Sequence, residues 1–344
     1  MSTIHNRPNL SIADAKREFE RLFGKPVARV TQLDGERDQN FRVTSTCGDE
    51  WVFKICNPDE PVELLHAQNE AMRCVRHAGV SVPEVLISLN GESLSTVETP
   101  AGSVPARAVT WVPGVPLAEC DQAMSSVLTR IGKMLGATVA ALQGFDRPVL
   151  RRPFDWNLIE AGSVIRRNGP MVSDEQIRQI IDVQGEAIFS RLSGLGPSLR
   201  QSVIHNDAND YNVIVLTDDE ADSSPIGLID FGDIAWSYTV AELAIAMAYV
   251  ACRTKDWITA SCELAHGFTQ AFPLTPTEVE ALFDLMVLRL LVSVCMNAVQ
   301  QSERPDDPYL SVSQKPIRLA LPIITAARHA TVTDQLRASC GIGR

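Results

Sequence analysis

The run V-I-H-N-D-A-N-D-Y-N-V-I-V-L at residues 203–216, followed after a polar turn at 217–225 and Ile226 by G-L-I-D-F-G-D-I-A-W-S-Y at 227–238, decides how the chain reads. It holds two patterns of fixed spacing, His205-x-Asp207-x-x-x-x-Asn212 and Asp230-Phe231-Gly232. Ile204 leads into the first, Val213 to Leu216 leave it, and Gly227 to Ile229 enter the second, so apolar and β-branched runs flank both. The expectation is a hairpin that presents two polar loops at one end. The first pattern alone would arise by accident in about 4 % of chains this long, whereas the two at this separation arise together by chance in only about 1 in 10,000.

These residue types suit the movement of a phosphoryl group from a nucleotide to a hydroxyl. The hydroxyl proton needs an acceptor, and Asp207 is placed for that role. Asn212 and Asp230 offer hard oxygen ligands, which suit magnesium (Mg2+) bridging nucleotide phosphates. His205 has no obvious proton to move and is expected to brace the loop by hydrogen bonds. Asp233 is expected to support the loop from behind or to add a metal contact.

With 344 residues the chain exceeds one comfortable core and suggests two lobes. Its 45 % hydrophobic and 21 % charged composition is that of a globular protein. A formal net charge of -11 argues against a nucleic-acid or anionic-membrane surface, both of which attract basic patches. The same charge favours a cationic or zwitterionic small-molecule acceptor. Eight cysteines are scattered without a C-x-x-C pair or a tight Cys/His cluster, so reduced thiols are expected rather than zinc. The first ten residues lack a signal-peptide pattern. The longest apolar run, Leu282 to Val299, contains Asp284 and Arg289 and reads as a buried helix, not a membrane span. A cytoplasmic setting is expected, and the oligomeric state is left open.

Ser11 to Phe23 has helical spacing with Ser11 as N-cap, and Gly24 ends it. Val27 to Gln32, Asn40 to Thr46 and Trp51 to Cys56 read as antiparallel strands. The turn L-D-G-E-R-D-Q-N-F-R-V has one glycine, and backbone amides from Arg37 to Asn40 are candidates to approach phosphates. Lys54, in W-V-F-K-I, is a single cation inside an apolar strand, and a buried ammonium needs a partner. The helical segment Pro61 to Ala78 supplies Glu70 first and Glu63 second. Further strands are expected at Glu84 to Leu89, Ser93 to Glu98 and Ala106 to Val112. Backbone groups near Thr110 to Val112 are candidates to read a purine edge. The lobe boundary is drawn at Pro113-Gly114, giving an N-terminal nucleotide-binding lobe at 1–112 and a catalytic and acceptor-binding lobe at 113–344.

The second half reads as helices at Met124 to Leu142, Asp174 to Ser193, Val240 to Cys252, Trp257 to Phe272, Thr277 to Ser302 and Pro316 to Ala338. Residues 144–173, with Phe154-Asp155-Trp156-Asn157 inside, are irregular. They read either as part of an acceptor pocket or as a surface excursion. Asp210, Asp306 and Asp307 are candidates to hold an ammonium group of the acceptor.

Taken together, G-E-R-D-Q-N-F, the F-K-I strand, W-V-P-G, H-x-D-x-N-D-x-N, I-D-F-G-D and D-P-Y-L-S-V-S resemble the aminoglycoside phosphotransferase and choline kinase superfamily. Within it the chain looks most like the hydroxylysine kinases and their bacterial relatives. The resemblance implies an α+β, bilobal protein-kinase-like fold with an N-terminal antiparallel sheet lobe and a larger, mainly helical C-terminal lobe. It implies Asp207 as base, Asn212 and Asp230 as magnesium ligands, Lys54 as phosphate contact and Glu70 as its partner, with ATP or GTP as donor. The acceptor it implies is a hydroxylysine-like amino alcohol first, and an aminoglycoside, choline or homoserine type second; a non-catalytic nucleotide-binding module is the remaining alternative. No arginine stands between His205 and Asp207 and no A-P-E follows Asp230, which counts against a protein kinase. Asn206 stands where relatives of the small-molecule branch commonly carry glycine.

Overall fold

A computed structural model describes residues 7–35, 37–99, 102–120, 125–215, 226–305 and 314–343. The turn at 217–225, Asp306 and the D-P-Y-L-S-V-S run at 307–313 lie outside them. The chain divides into two compact units, Met1–Pro113 and Gly114–Arg344.

The first unit opens with α1 (Ile12–Phe23), where the Ser11 side chain accepts from the backbone of Asp14 and Gly24 closes the last turn at φ 64°. A six-stranded antiparallel sheet follows: β1 (Val27–Leu33), β2 (Gln39–Ser45), β3 (Glu50–Ile55), β4 (Val85–Leu86), β5 (Ser95–Thr99) and β6 (Gly102–Thr110). The strand order is β1-β2-β3-β6-β4, with β5 paired to β6. Alternation gives the sheet two unlike faces. Phe41, Phe53 and Ala108 lie in register on one face and are fully buried in a core with Phe19 and Phe23 of α1. The rings of Phe19 and Phe53 meet edge-on at 5.6 Å. On the other face Asn40, Lys54 and Arg107 are in register across β2, β3 and β6. Helix α2 (Val62–His77) meets that polar row, because the buried Arg107 donates to Leu65 O, Asn69 Oδ1 and Gln68 Oε1. The strand expected at 84–89 shrinks to two residues. The strand expected to run to Val112 ends at Thr110 instead, so Trp111 and Val112 lie beyond it.

In the second unit the loops are framed by two short ladders. β9 (Val213–Val215) pairs with β10 (Gly227–Leu228) and β7 (Val115–Pro116), and β8 (Gln201–Ile204) pairs with β11 (Ala235–Tyr238). The expected hairpin is thus only the β9–β10 part of the frame; β8 leaves it to bind β11. The helices are α3 (Ser125–Ala141), α4 (Ala161–Asn168), α5 (Glu175–Leu195), α6 (Ala241–Ala251), α7 (Trp257–Ala271), α8 (Pro276–Glu303), α9 (Gln314–Thr325) and α10 (His329–Ser339). Helix α4 and several single turns therefore lie in the segment read as irregular. The single helix expected at 316–338 is two, because Arg328 takes an extended conformation and starts α10 afresh.

Two features set this core. Helices α3 and α7 cross backbone to backbone: a Cβ added at Gly267 would stand 1.8 Å from Thr129 O, and one at Gly132 would stand 2.0 Å from Leu264 O. Helix α8 starts with a capping box between Thr275 and Glu278 and is buried on all sides from Ala281 to Cys295. Its three buried charges each meet an opposite charge from elsewhere: Glu278 meets Arg200 at 2.5 Å, Asp284 meets Arg191 at 2.6 Å and Arg289 meets Asp207 at 2.9 Å. Among the described residues no helix is long and apolar enough to cross a membrane.

Candidate active site

The first loop leaves β8 at His205, which is fully buried. Its Nδ1 accepts from the Asp207 backbone N–H at 3.3 Å, so the ring proton sits on Nε2 and is donated to Ile229 O at 3.0 Å. Its edge also meets Phe231, with centroids 4.7 Å apart. One imidazole therefore ties the two polar loops together.

Asn206 adopts the left-handed region at φ 69°, where asparagine is tolerated almost alone beside glycine. This accounts for asparagine at a position where the resemblance leads one to expect glycine. Its backbone N–H donates to Glu242 Oε2 at 3.0 Å and its side chain to Asp233 O at 3.2 Å. Glu242 is fully buried in the first turn of α6, and burial pushes its acid pKa up against the opposing effects of His205 and backbone N–H groups.

Asp207 is held from both sides. Its Oδ1 accepts from Arg289 Nη2 at 2.9 Å, while Oδ2 accepts from Asn212 Nδ2 at 2.7 Å and Asn209 Nδ2 at 3.0 Å. Burial, and then the nearby charge of Asp233, push its acid pKa up to about 8, with Arg289 and Asn209 pulling the other way. Arg289 is 1 % exposed and also donates to Trp156 O at 3.1 Å and Tyr249 OH at 3.3 Å. Its guanidinium stands 4.7 Å from the Trp156 ring centroid. The F-D-W-N segment is thereby linked through Arg289 to Asp207.

Asp230 also takes a left-handed conformation, at φ 62°, with Oδ1 accepting from Gly232 N at 3.2 Å. The Asn212 side chain donates through Nδ2 to the backbone and side chain of Asp207, which leaves its carbonyl Oδ1 able to meet a cation. Among the described residues no group of three or more His, Cys, Asp or Glu side chains forms a cage for a metal. One carboxylate and one amide oxygen fit an ion that brings its remaining ligands with it as phosphates and waters, the habit of Mg2+.

Asp210 already holds a cation. It pairs with Arg253 at 3.1 Å, and Arg253 also donates to Ala118 O and Cys120 O at 2.8 and 3.2 Å. The structure thus gives Asp210 a structural tie to Arg253, while Asp306 and Asp307 fall outside the described residues.

In the first unit Lys54 forms an ion pair with Asp38 at 3.6 Å, and Asp38 also accepts from Asn57 N at 3.0 Å. Glu70 is half-buried on α2, and Glu63 is exposed in its first turn. Asn40 donates to Asp34 O at 3.5 Å, and a Cβ at Gly35 would come within 2.8 Å of Asp38 O, so the single glycine serves the tightest point of this turn. Val112 is half-buried just past β6.

Sequence reading missed Arg289, Asn209, Glu242, Asp38 and Arg107. The signal for Arg289 was present: a charge inside a helix that is apolar all round must meet an opposite charge. What local pattern could not supply was which one.

The profile of the Phosphotransferase enzyme family matches residues 29–281. Hydroxylysine kinase of Xenopus laevis is 31 % identical over 340 residues, covering 90 % of this chain and 88 % of that protein. Hydroxylysine kinase of Mus musculus is 29 % identical over 334 residues, with the same coverage of 90 % and 88 %. Among solved structures, a microcompartment-associated aminopropanol kinase superposes with a TM-score of 0.71 at 14 % identity, over 97 % of this chain and 99 % of that one. Amicoumacin kinase, in complex with AMP-PNP, Ca2+ and Ami, gives 0.70 at 14 % identity, over 92 % and 95 %. These likenesses show an α+β protein-kinase-like fold, and with the family profile and the curated relatives they establish that the chain belongs to the phosphotransferase enzyme family, as a kinase acting on an alcohol group.

Proposed function

We propose that this enzyme moves the γ-phosphoryl group of a magnesium-bound ATP or GTP to the hydroxyl of a small amino-bearing alcohol, with hydroxylysine or a related hydroxylated amino acid first. The observation that carries the reading is the Asp207 carboxylate, fixed by three side-chain donors in a loop tied by His205 to the Asp230 turn. Asp207 takes the acceptor's proton. Asn212 Oδ1 and the Asp230 carboxylate would hold the metal, which would offset the charge of the nucleotide phosphates. His205 keeps the two loops in register.

The N-terminal unit is the nucleotide-binding part in this reading. Lys54 contacts phosphate, with Asp38 keeping the ammonium aligned and Glu70 acting from α2 as its second carboxylate. Backbone groups at Asn40 approach the phosphates, and those at Val112 meet the base. The C-terminal unit supplies catalysis and acceptor binding. Relatives named hydroxylysine kinase support the first choice of acceptor. The solved structure crystallised with AMP-PNP and Ca2+ supports a nucleotide donor and a divalent metal.

The deciding experiment is single-turnover transfer from ATP and from GTP to a panel of hydroxylysine, choline, homoserine, aminopropanol, an aminoglycoside and neutral sugars, with product mass read directly. Phosphohydroxylysine as the fastest product is expected. Transfer to neutral sugars alone would reject the amino-alcohol acceptor.

A further inference from the structure

A carboxylate oxygen offers about two lone-pair sites. On Asp207, Oδ2 uses both, for Asn212 Nδ2 at 2.7 Å and Asn209 Nδ2 at 3.0 Å. Among the described residues Oδ1 uses one, for Arg289 Nη2 at 2.9 Å, and keeps one. We infer that Oδ1 is the oxygen that receives the acceptor's proton and that Arg289, reaching in from the middle of α8, is the positioning residue that aims it. This rests on the reading of Asp207 as the base.

The assignment follows from how little else can turn the carboxylate. Rotation about the last torsion of an aspartate is soft and roughly two-fold, so donors on Oδ2 alone leave Oδ1 free to swing. Arg289 removes that freedom because it is itself fixed, with Nη1 on Trp156 O at 3.1 Å, Nε on Tyr249 OH at 3.3 Å and its guanidinium carbon 4.7 Å from the Trp156 ring centroid. The planar fork makes three bonds in three directions at once. A lysine ammonium has no such geometry and cannot reproduce all three.

In the transfer, the acceptor O–H bond breaks and its proton goes to Oδ1, its oxygen forms the new bond to phosphorus, and the bond from phosphorus to the nucleotide's bridging oxygen breaks to release the diphosphate. Arg289 keeps its proton throughout. The contact at Oδ1 passes from ion pair to a bond on a carboxylic acid. The charge of Arg289 lowers the basicity of Oδ1 somewhat, so its benefit lies in alignment, and the first quantity to suffer in its absence is kcat.

The test is a kinetic cycle on the full chain, with Arg289→Met and Arg289→Lys each made in the wild type and in Asp207→Asn, and with thermal melting and magnesium-nucleotide binding measured for every variant. Arg289→Met is expected to lower kcat about 100-fold and Arg289→Lys about 10-fold, with the KM for nucleotide within about 3-fold, the scale of a misplaced reacting group. In the Asp207→Asn background neither should lower the residual single-turnover rate further, because residues that act as a unit are not additive. The inference is overturned if the losses multiply, or if the KM for acceptor rises while kcat holds, which would make Arg289 a substrate contact. Should Arg289→Met fail to fold, the Arg289→Lys pair decides by the same criteria, since it keeps a buried cation. Failure of the underlying reading looks different: Asp207→Asn alone would then retain near wild-type turnover.

Discussion

Glu242 in the first turn of α6 accepts the backbone N–H of Asn206 at 3.0 Å, and so holds the residue before Asp207 in a left-handed conformation at φ 69°. A carboxylate at a helix N-terminus is stabilised by that helix's own unpaired N–H groups, which helps a fully buried acid to serve as a loop anchor. The aim of Asp207 is therefore set partly by a residue 36 positions beyond Asn206 in sequence.

Asn206→Gly should leave stability nearly unchanged. Glycine relieves about 1–2 kcal/mol of left-handed strain and loses one side-chain hydrogen bond worth about 1 kcal/mol. Asn206→Val keeps the strain and loses the bond, and should cost at least about 2 kcal/mol by denaturant titration. Equal midpoints for the valine variant and wild type would show that the loop does not need this conformation.

The raised pKa of Glu242 gives a stability signature with a definite sign. The folded state binds the proton more tightly than the unfolded chain, so the group's contribution is full below its ordinary value of 4.5 and is lost as pH rises through the higher folded value. Glu242→Gln keeps an acceptor for Asn206 without the charge. Its Tm relative to wild type should rise between pH 4 and pH 8; a difference that stays flat, or falls, contradicts the assignment.

Asp207→Asn should lower kcat about 1,000-fold, roughly 4 kcal/mol of transition-state stabilisation, while melting and nucleotide binding stay near wild type. Because only the ionised form takes a proton, burial and the charge of Asp233 should move the acid limb of kcat/KM out of the ordinary carboxylate range and toward 8. A profile flat from pH 5 upward would mean that another group limits the free enzyme.

Gly267→Ala probes the α3–α7 crossing. The added methyl would stand 1.8 Å from Thr129 O, backbone that cannot yield without parting two helices. A loss of about 3 kcal/mol or more is expected from urea melts, against about 1 kcal/mol gained in intrinsic helix propensity. Wild-type stability would mean that the helices cross further apart than described.

Much of this architecture could be read locally because local physics sets it. Ser11 caps α1 by its own hydroxyl, the alternation around Phe41 and Phe53 marks a sheet with one apolar face, and the unbroken apolar run through Leu282 marks a buried helix. The partnerships were not legible. Arg289 finds Asp207 across 82 residues, Arg253 finds Asp210 across 43, and β8 pairs with β11 instead of joining β9. Each of these is fixed by how helices pack, and periodicity carries no record of that. The break at Arg328 is of the same kind: it starts α10 where His329 comes within 3.4 Å of Asp284.

The last prediction concerns the metal. Asp230 and Asn212 offer one carboxylate and one amide oxygen, too few to hold Mg2+ alone, so metal and nucleotide should bind as one unit. Asp230→Ala should then leave magnesium-free nucleotide binding nearly intact, because Lys54 lies in the other unit and is paired with Asp38. The tightening that magnesium gives should be lost, with kcat down at least about 100-fold. Asp230→Asn keeps an oxygen and should fall between, recovering part of its rate as magnesium is raised well above the wild-type requirement. The measurement is nucleotide affinity by calorimetry with and without the metal, beside the magnesium dependence of single turnover. An unchanged magnesium dependence in Asp230→Ala would remove Asp230 from the ligand set and leave its left-handed turn as a purely structural device.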